Sequence, residues 1–278
     1  MDTQDKQSHQ PMSKIHPSLR PRANKSKRQS KGTKPPTGKV RLQKFLAEAG
    51  IAARRKCEEM IVEGLVEVNG KVVESLPAFV EPAKDTVKVN GQKVRMPQRV
   101  YFLLNKPKNV ICSNSDPQGR KRAIDLVDTP FRVVCVGRLD TETSGAIILT
   151  NDSELVNRMT HPRYELPRTY EIRIRGSMDD VAIERFKQGS WLSGGKGGRA
   201  EVRVIRRNNV ETMLEVTIQG GLHSELRLVM HRVGFKVLSI RRTRIGTITL
   251  KDTPLGCSRP LTKAQVDYLK KSTGMPIE

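Results

Sequence analysis

The chain has 278 residues, with 51 Lys and Arg against 29 Asp and Glu, for a formal charge of +22. That length makes one to three domains at about 100–200 residues each, and its longest apolar runs, pieces such as Ala146–Leu149, fall far short of the ~18 residues that cross a bilayer. A charge of this size and sign points to a polyanionic partner, nucleic acid ahead of an anionic membrane, since no basic amphipathic helix stands out.

Residues 1–38 are rich in Lys, Arg, Ser, Gln and Pro and show no apolar period. From Met1 to Lys39, ten Lys and Arg face only Asp2 and Asp5, which puts +8 in this segment and +14 in the rest of the chain. Such a composition cannot bury enough surface to offset chain entropy, so a disordered basic tail is expected. No apolar stretch follows the charges, which argues against a secretion signal.

Residues 39–96 read as a small unit of two helices and a small sheet. Leu42, Phe45, Leu46 and Ala49 share one helical face that stops at Gly50, and Cys57, Met60 and Ile61 repeat the spacing up to Gly64. The chain then alternates about Asn69-Gly70 and again about Asn90-Gly91, and each Asn-Gly pair is a strong hairpin signal. The helices carry Lys39, Arg41 and Lys44, then Arg54, Arg55 and Lys56 at the start of the second. Cations beside free backbone N–H groups suit a phosphate, and a solvated basic face is the plainer alternative.

Residues 96–100 read as a linker. Beyond it, 100–278 alternates short strands with turns: strands are expected at 100–104, 133–136, 146–150, 170–175, 202–206, 213–219 and 237–242. Helices are expected at 152–160, 179–187, 223–233 and 261–271. The class is α+β with a mixed, largely antiparallel sheet, because no ordered strand–helix–strand succession runs through it. Gly189–Gly198 holds five glycines and reads as a flexible loop.

The chemistry is bounded first by what is missing. There is no G-x-G-x-x-G, Walker loop, H-E-x-x-H or G-x-S-x-G string. His223 and His231 are too far apart in sequence for a metal pair on adjacent helical turns, so no metal and no cofactor is expected. Cys57, Cys112, Cys135 and Cys257 have no C-x-x-C spacing and read as buried or idle thiols in a reducing, cytoplasmic compartment. The most unusual local feature is Gly137-Arg138-Leu139-Asp140-Thr141-Glu142-Thr143-Ser144-Gly145, set between two apolar strands. It offers either a carboxylate kept ionised by a nearby cation or ordinary turn chemistry.

Two resemblances sharpen this reading. RLQKFLAEAGIAARRKCEEMIVEGLVEVNGKVV is similar to the S4 RNA-binding domain, which implies a unit that grips structured RNA by shape and phosphate. VGRLDTETSGAIILTND resembles the signature of the RsuA-type rRNA pseudouridine synthases. YFLLNKPKNVICSNSDPQGRKRAIDLV, RTYEIRIRG and LRLVMHRVGFKVLSIRRTRIG flank it in that family's order, and an S4 domain precedes the core in that family too.

The resemblance implies isomerisation of a uridine in ribosomal RNA, breaking N1–C1′ and joining C5 to C1′ after base flipping. Asp140 matches the catalytic aspartate, acting at the sugar as a nucleophile or as a base. Tyr170 matches the active-site tyrosine that stacks on the flipped base, with a core strand aromatic as the alternative. Arg227 matches the arginine that pairs with the aspartate. Arg138 is expected to reach into the RNA where the base left. Arg41, Lys44, Arg54, Arg55, Lys56, Lys106 and Arg168 complete the expected RNA-binding set. The chain departs from the family at Ser224 and Leu228, where arginines are usual, which removes two phosphate-type cations.

The expected partner is ribosomal RNA or a ribosomal subunit precursor, met by a monomer, with no membrane and no small-molecule cofactor. The basic tail and the ending RPLTKAQVDYLKK tilt the expectation to large-subunit (23S) over small-subunit (16S) RNA. The competing readings are a non-catalytic RNA-binding assembly factor and, with less support, a DNA-binding regulator.

Overall fold

The computed structural model describes residues 36–164, 166–188, 200–219 and 226–277. Most of the expected tail and all of the glycine-rich segment lie outside the described residues.

The first unit begins with β1 (Val40–Arg41), α1 (Leu42–Glu48) and α2 (Arg54–Val62). β2 (Val66–Val68), β3 (Lys71–Val72), β4 (Phe79–Val80), β5 (Val87–Val89) and β6 (Gln92–Lys93) follow. Leu42, Phe45 and Leu46 of α1 close on Cys57 and Ile61 of α2 and on Val66, Val80, Val87 and Val89, forming a core of their own. Both hairpins turn as the Asn-Gly pairs dictate. Asn69 and Gly70, and Asn90 and Gly91, all have positive φ, the backbone of a turn whose twist matches its strands. The hairpins join through β2 and β5 into an antiparallel sheet of order β3-β2-β5-β6, and β1 pairs with β4.

The second unit contains β7 (Tyr101–Lys106), β8 (Val134–Cys135), β9 (Thr143–Thr150), α3 (Ser153–Thr160), β10 (Arg168–Arg175) and α4 (Asp180–Gln188). It continues with β11 (Ala200–Arg207), β12 (Glu211–Ile218), α5 (Leu226–Arg232), β13 (Val237–Ile245), β14 (Ile248–Thr249), β15 (Ser258–Pro260) and α6 (Lys263–Ser272). Its sheet runs β11-β12-β10-β13-β9-β7-β15, with β14 beside β13 and β8 beside β9. Among the described residues the β9–β13 pair alone is parallel, so the sheet is mixed and largely antiparallel. Each expected strand is present, with its start within three residues of the expected one (β9 opens at Thr143 instead of 146, β11 at Ala200 instead of 202), while the short edge strand β15 carries Pro260 and has no apolar period to announce it.

Both faces of the sheet are covered, which is why Ala146–Leu149 reads as one unbroken apolar run. One face packs Leu104, Ile147, Tyr170, Ile172 and Val216 against Phe186 of α4 and against Leu226, Val229 and Met230 of α5. The other packs Leu103, Ala146 and Ile148 against Leu155 and Met159 of α3 and Leu269 of α6. α5 starts at Leu226, and the first residues of the helix expected at 223–233 lie outside the described residues. No helix among the described residues is long and apolar enough to cross a membrane.

The two units touch. Arg132 donates through Nη1 to the Ala52 carbonyl at 3.0 Å, and Ser153 bonds Glu48. Between them opens a cleft of about 450 Å³ lined by Glu48, Arg54, Arg132, Cys135 and Asn157.

Candidate active site

The register of the large sheet builds a row of side chains on one face. Lys106 of β7 lies opposite Gly145 of β9, Gly145 opposite Arg242 of β13, and Arg242 opposite Tyr170 of β10. Paired residues project to the same side of a sheet, so two cations and a tyrosine share one strip beside the start of β9.

The 137–142 loop lies next to this strip and is fixed through its backbone. The Thr143 N–H donates to the Asp140 carbonyl at 3.0 Å, and the Asn109 N–H donates to the Thr141 carbonyl at 2.9 Å. The Leu139 N–H donates to Cys112 Sγ at 3.4 Å, and the Leu139 side chain is buried in the larger core. Its neighbour Asp140 is exposed, and its carboxylate makes no ion pair among the described residues.

The cations beside it are buried. Lys106 is fully buried and donates to the Val110 carbonyl at 2.7 Å and the Pro107 carbonyl at 3.0 Å. Burial pulls its ammonium below the ordinary lysine range, and Cys112, Asp140, Cys135 and Glu142 push back toward it. Arg242 is 2% exposed; its Nε donates to the Ala146 carbonyl at 2.6 Å, while one terminal nitrogen has no hydrogen-bond partner among the described residues. Arg168 donates to the Met159 carbonyl at 2.8 Å. Burial first, then the charge of Arg242, pull its guanidinium down to about 10.

Two thiols complete the cluster. Cys112 and Cys135 are half-buried, and the electrostatics of the two thiols are linked. The Cys135 S–H donated to it, the Leu139 N–H, and the charges of Lys106 and Arg242 bring the Cys112 thiol down to about 6 against the opposing effect of burial. Cys135 moves the other way, because its proton is held by Cys112. The reading of the cysteines as buried is corrected in part: Cys57 is buried, Cys112 and Cys135 are half-buried, and Cys257 is exposed.

The structure sets Asp140 within electrostatic range of Lys106, whereas Tyr170 lies three strands from Lys106 along the same row, beyond Gly145 and Arg242. Tyr170 is 1% exposed and forms part of the larger core. Arg227 is half-buried on α5, which packs over the same face, but it makes no ion pair with Asp140 among the described residues. Lys106, expected to contact RNA, is fully buried, because a strand that is covered on both faces takes its side chain inside. Arg168 is partly buried by the same strand packing. Arg138 is exposed, as are Arg54, Arg55 and Lys56 at the start of α2. Lys44 pairs with Glu48 at 3.6 Å, Lys56 pairs with Glu59 at 3.0 Å, and Arg41 is half-buried. Sequence reasoning missed Arg242, Cys112 and Cys135, since cross-strand register and loop packing leave no mark in local periodicity.

Comparison with known proteins decides the family. The model for RNA pseudouridylate synthases matches residues 100–232, and that for the S4 domain matches 40–81. An uncharacterized RNA pseudouridine synthase of Aquifex aeolicus (strain VF5) is 41% identical over 238 residues, covering 85% of this chain and 96% of that protein. The chain belongs to the RNA pseudouridine synthase family. The ribosomal large subunit pseudouridine synthase B of Bacillus subtilis (strain 168) is 37% identical over 233 residues, covering 83% of this synthase and 95% of that one. A crystal structure of a pseudouridylate synthase superposes with a TM-score of 0.59 at 25% identity, over 83% of this chain and 99% of the other. Asp140, Lys106, Cys112, Tyr170 and Arg227 of the synthase fall inside the matched catalytic span, and Arg242 lies beyond it.

Proposed function

We propose that this synthase isomerises one uridine of ribosomal RNA, with large-subunit RNA as the substrate, and that Asp140 is the carboxylate that acts at the ribose. The observation that carries the reading is an exposed carboxylate without an ion pair among the described residues, on a loop tied down at Leu139, Asp140 and Thr141, beside a buried cation. A carboxylate held this way is ready for a ribose carbon and its orientation is already set. The printed name of the Bacillus subtilis relative supports the large subunit.

The reaction breaks N1–C1′, turns the base and joins C5 to C1′; the C5 proton leaves and N1 takes one up. Substrate and product are isomers, so the reaction consumes no oxidant and no nucleotide. It acts as a monomer, with the S4 domain and Arg138 gripping the RNA. The test is Asp140→Asn with transcribed rRNA. Conversion falls by roughly 10⁴-fold, the order seen when a catalytic aspartate is removed, while RNA affinity stays within a factor of about two. Wild-type conversion by the purified variant removes Asp140 from this role. An unchanged pseudouridine map in a deletion strain, together with a subunit-assembly defect, favours the non-catalytic assembly factor.

A further inference from the structure

We propose that the cleft between the two units binds one unpaired nucleotide of the substrate RNA, with its phosphate on Arg54 and Arg132 and its base against Asn114 and Asn157. The proposal rests on the reading of ribosomal RNA as the substrate given above, and it names the part of that RNA that the cleft selects.

The cleft holds about 450 Å³, within the ~300–1,000 Å³ of pockets that take a small ligand. That volume admits a single nucleotide and excludes a helix. Bases splayed out of loops and bulges are also the ones whose edges a protein can read in RNA, because the deep groove of the duplex hides them.

The lining matches a nucleotide part by part. Arg54 opens α2 on the S4 side, and Arg132 stands on the other wall, just before β8. Both are exposed, and neither forms an ion pair among the described residues. Arg132 donates through Nη1 to the Ala52 carbonyl, and the other nitrogens of its guanidinium keep their donors for a ligand. The carboxylate on the lining, Glu48, is engaged by Lys44 at 3.6 Å and by Ser153. An anion entering the cleft therefore meets two guanidinium groups, and phosphate is the anion that RNA brings.

Asn114 and Asn157 are exposed, and their side-chain amides make no hydrogen bond among the described residues. Each offers one acceptor and two donors, the groups that pair with the Watson–Crick edge of an unstacked base. Asn151, on the same lining, differs: its amide accepts from the Val100 N–H and donates to the Gln98 carbonyl, so it serves the fold.

The position of the cleft ties it to the target uridine. Cys135 on its lining belongs to β8, which pairs with β9, and the Asp140 loop connects these two strands. Asn114 follows Cys112, whose Sγ accepts the Leu139 N–H of that loop. Cys135 and Asp140 are five residues apart in the chain, at most about 17 Å. A nucleotide held in the cleft thus sets which neighbouring uridine meets Asp140.

The experiment uses the full chain and transcribed rRNA. Ultraviolet crosslinking, with both partners mapped, is expected to join one nucleotide to the segment carrying Asn114 or to the one carrying Asn157. Removing that base from the RNA lowers affinity roughly tenfold or more, the effect of two lost hydrogen bonds. Asn114→Ala together with Asn157→Ala lowers it equally, and that double variant binds the abasic RNA no worse than the intact RNA. Both side chains lie on the surface, so the double variant folds. Crosslinks that fall only on other segments, or two losses that simply add, overturn the proposal. Saturation of the cleft by free uridine monophosphate in place of the RNA overturns it too. A chain that makes no pseudouridine in this RNA removes the functional reading, and the crosslink map still decides whether the cleft holds a nucleotide.

Discussion

Gly145 and Arg242 lie opposite each other where β9 meets β13, so close that a Cβ on Gly145 would collide with the Arg242 carbonyl oxygen and stand 2.7 Å from its amide nitrogen. Gly145 also has φ of +108°, a backbone that side chains rarely adopt. The close approach lies in the parallel pairing of β9 with β13. Gly145→Ala therefore costs about 2–5 kcal/mol, from overpacking and backbone strain together. Urea unfolding of the two proteins checks it. A midpoint within error of wild type would show that the strands part easily and that the close approach is not needed.

Lys106 holds more than its own charge. Its ammonium ties the carbonyls of Pro107 and Val110, and the turn between them presents the Asn109 N–H to the Thr141 carbonyl beside Asp140. Lys106→Met keeps the volume and drops both bonds. Leaving two carbonyls short of a charged donor costs about 2–4 kcal/mol. Turnover also falls, by about tenfold or more, because the turn no longer fixes the loop. KM for RNA stays near wild type, since a fully buried residue cannot touch the ligand. A raised KM with unchanged turnover would return Lys106 to the RNA-contact role that its sequence position suggests.

That contrast shows what the sequence carries and what it does not. The Leu42, Phe45 and Leu46 face, the two Asn-Gly turns and the unbroken run at Ala146–Leu149 are local patterns, and each became the element that its period implies. Asp140 stood out because Arg138 and a polar turn frame it between apolar strands. Lys106, Arg242 and the two thiols did not stand out. Their meaning depends on which strand lies beside which, and a Lys in Asn-Lys-Pro-Lys looks the same whether the strand is covered on one face or two. The pairing expected between Arg227 and Asp140 belongs to the same class, since it depends on how α5 seats over the sheet.

The thiol pair makes a pH prediction. The Cys135 S–H donated to Cys112, more than any other influence, favours the charged form of Cys112 and brings it down to about 6. Stabilising the thiolate means that protonation needs a lower pH. Alkylation of Cys112 by iodoacetamide therefore rises through pH about 6 and levels off by about pH 8, where an ordinary thiol is still climbing. Removing the donor in Cys135→Ala shifts that midpoint upward. Peptide-resolved alkylation rates give the result directly. A midpoint near 9 in the wild-type chain would mean that the Cys135 thiol does not stabilise the Cys112 thiolate in solution.

The S4 unit supplies the last test, because its cations are separate from the chemistry. Arg54 and Arg55 open α2 with their side chains exposed, and Ala53 provides no side-chain cap for the first N–H groups of the helix. Arg54 also lines the cleft between the units, so a phosphate there would meet a guanidinium and backbone donors together. Replacing both arginines with alanine frees up to two phosphates and leaves both hydrophobic cores untouched. The slope of log K against log salt then flattens by about 0.7–0.9 for each phosphate that is no longer neutralised. Turnover at saturating RNA stays at the wild-type level, because Asp140 and its loop are unchanged. Binding titrations across a salt series, beside single-turnover rates, separate the two quantities. An unchanged slope would show that these arginines are only a solvated face, and the RNA track would then have to run along Arg138 and the catalytic unit instead.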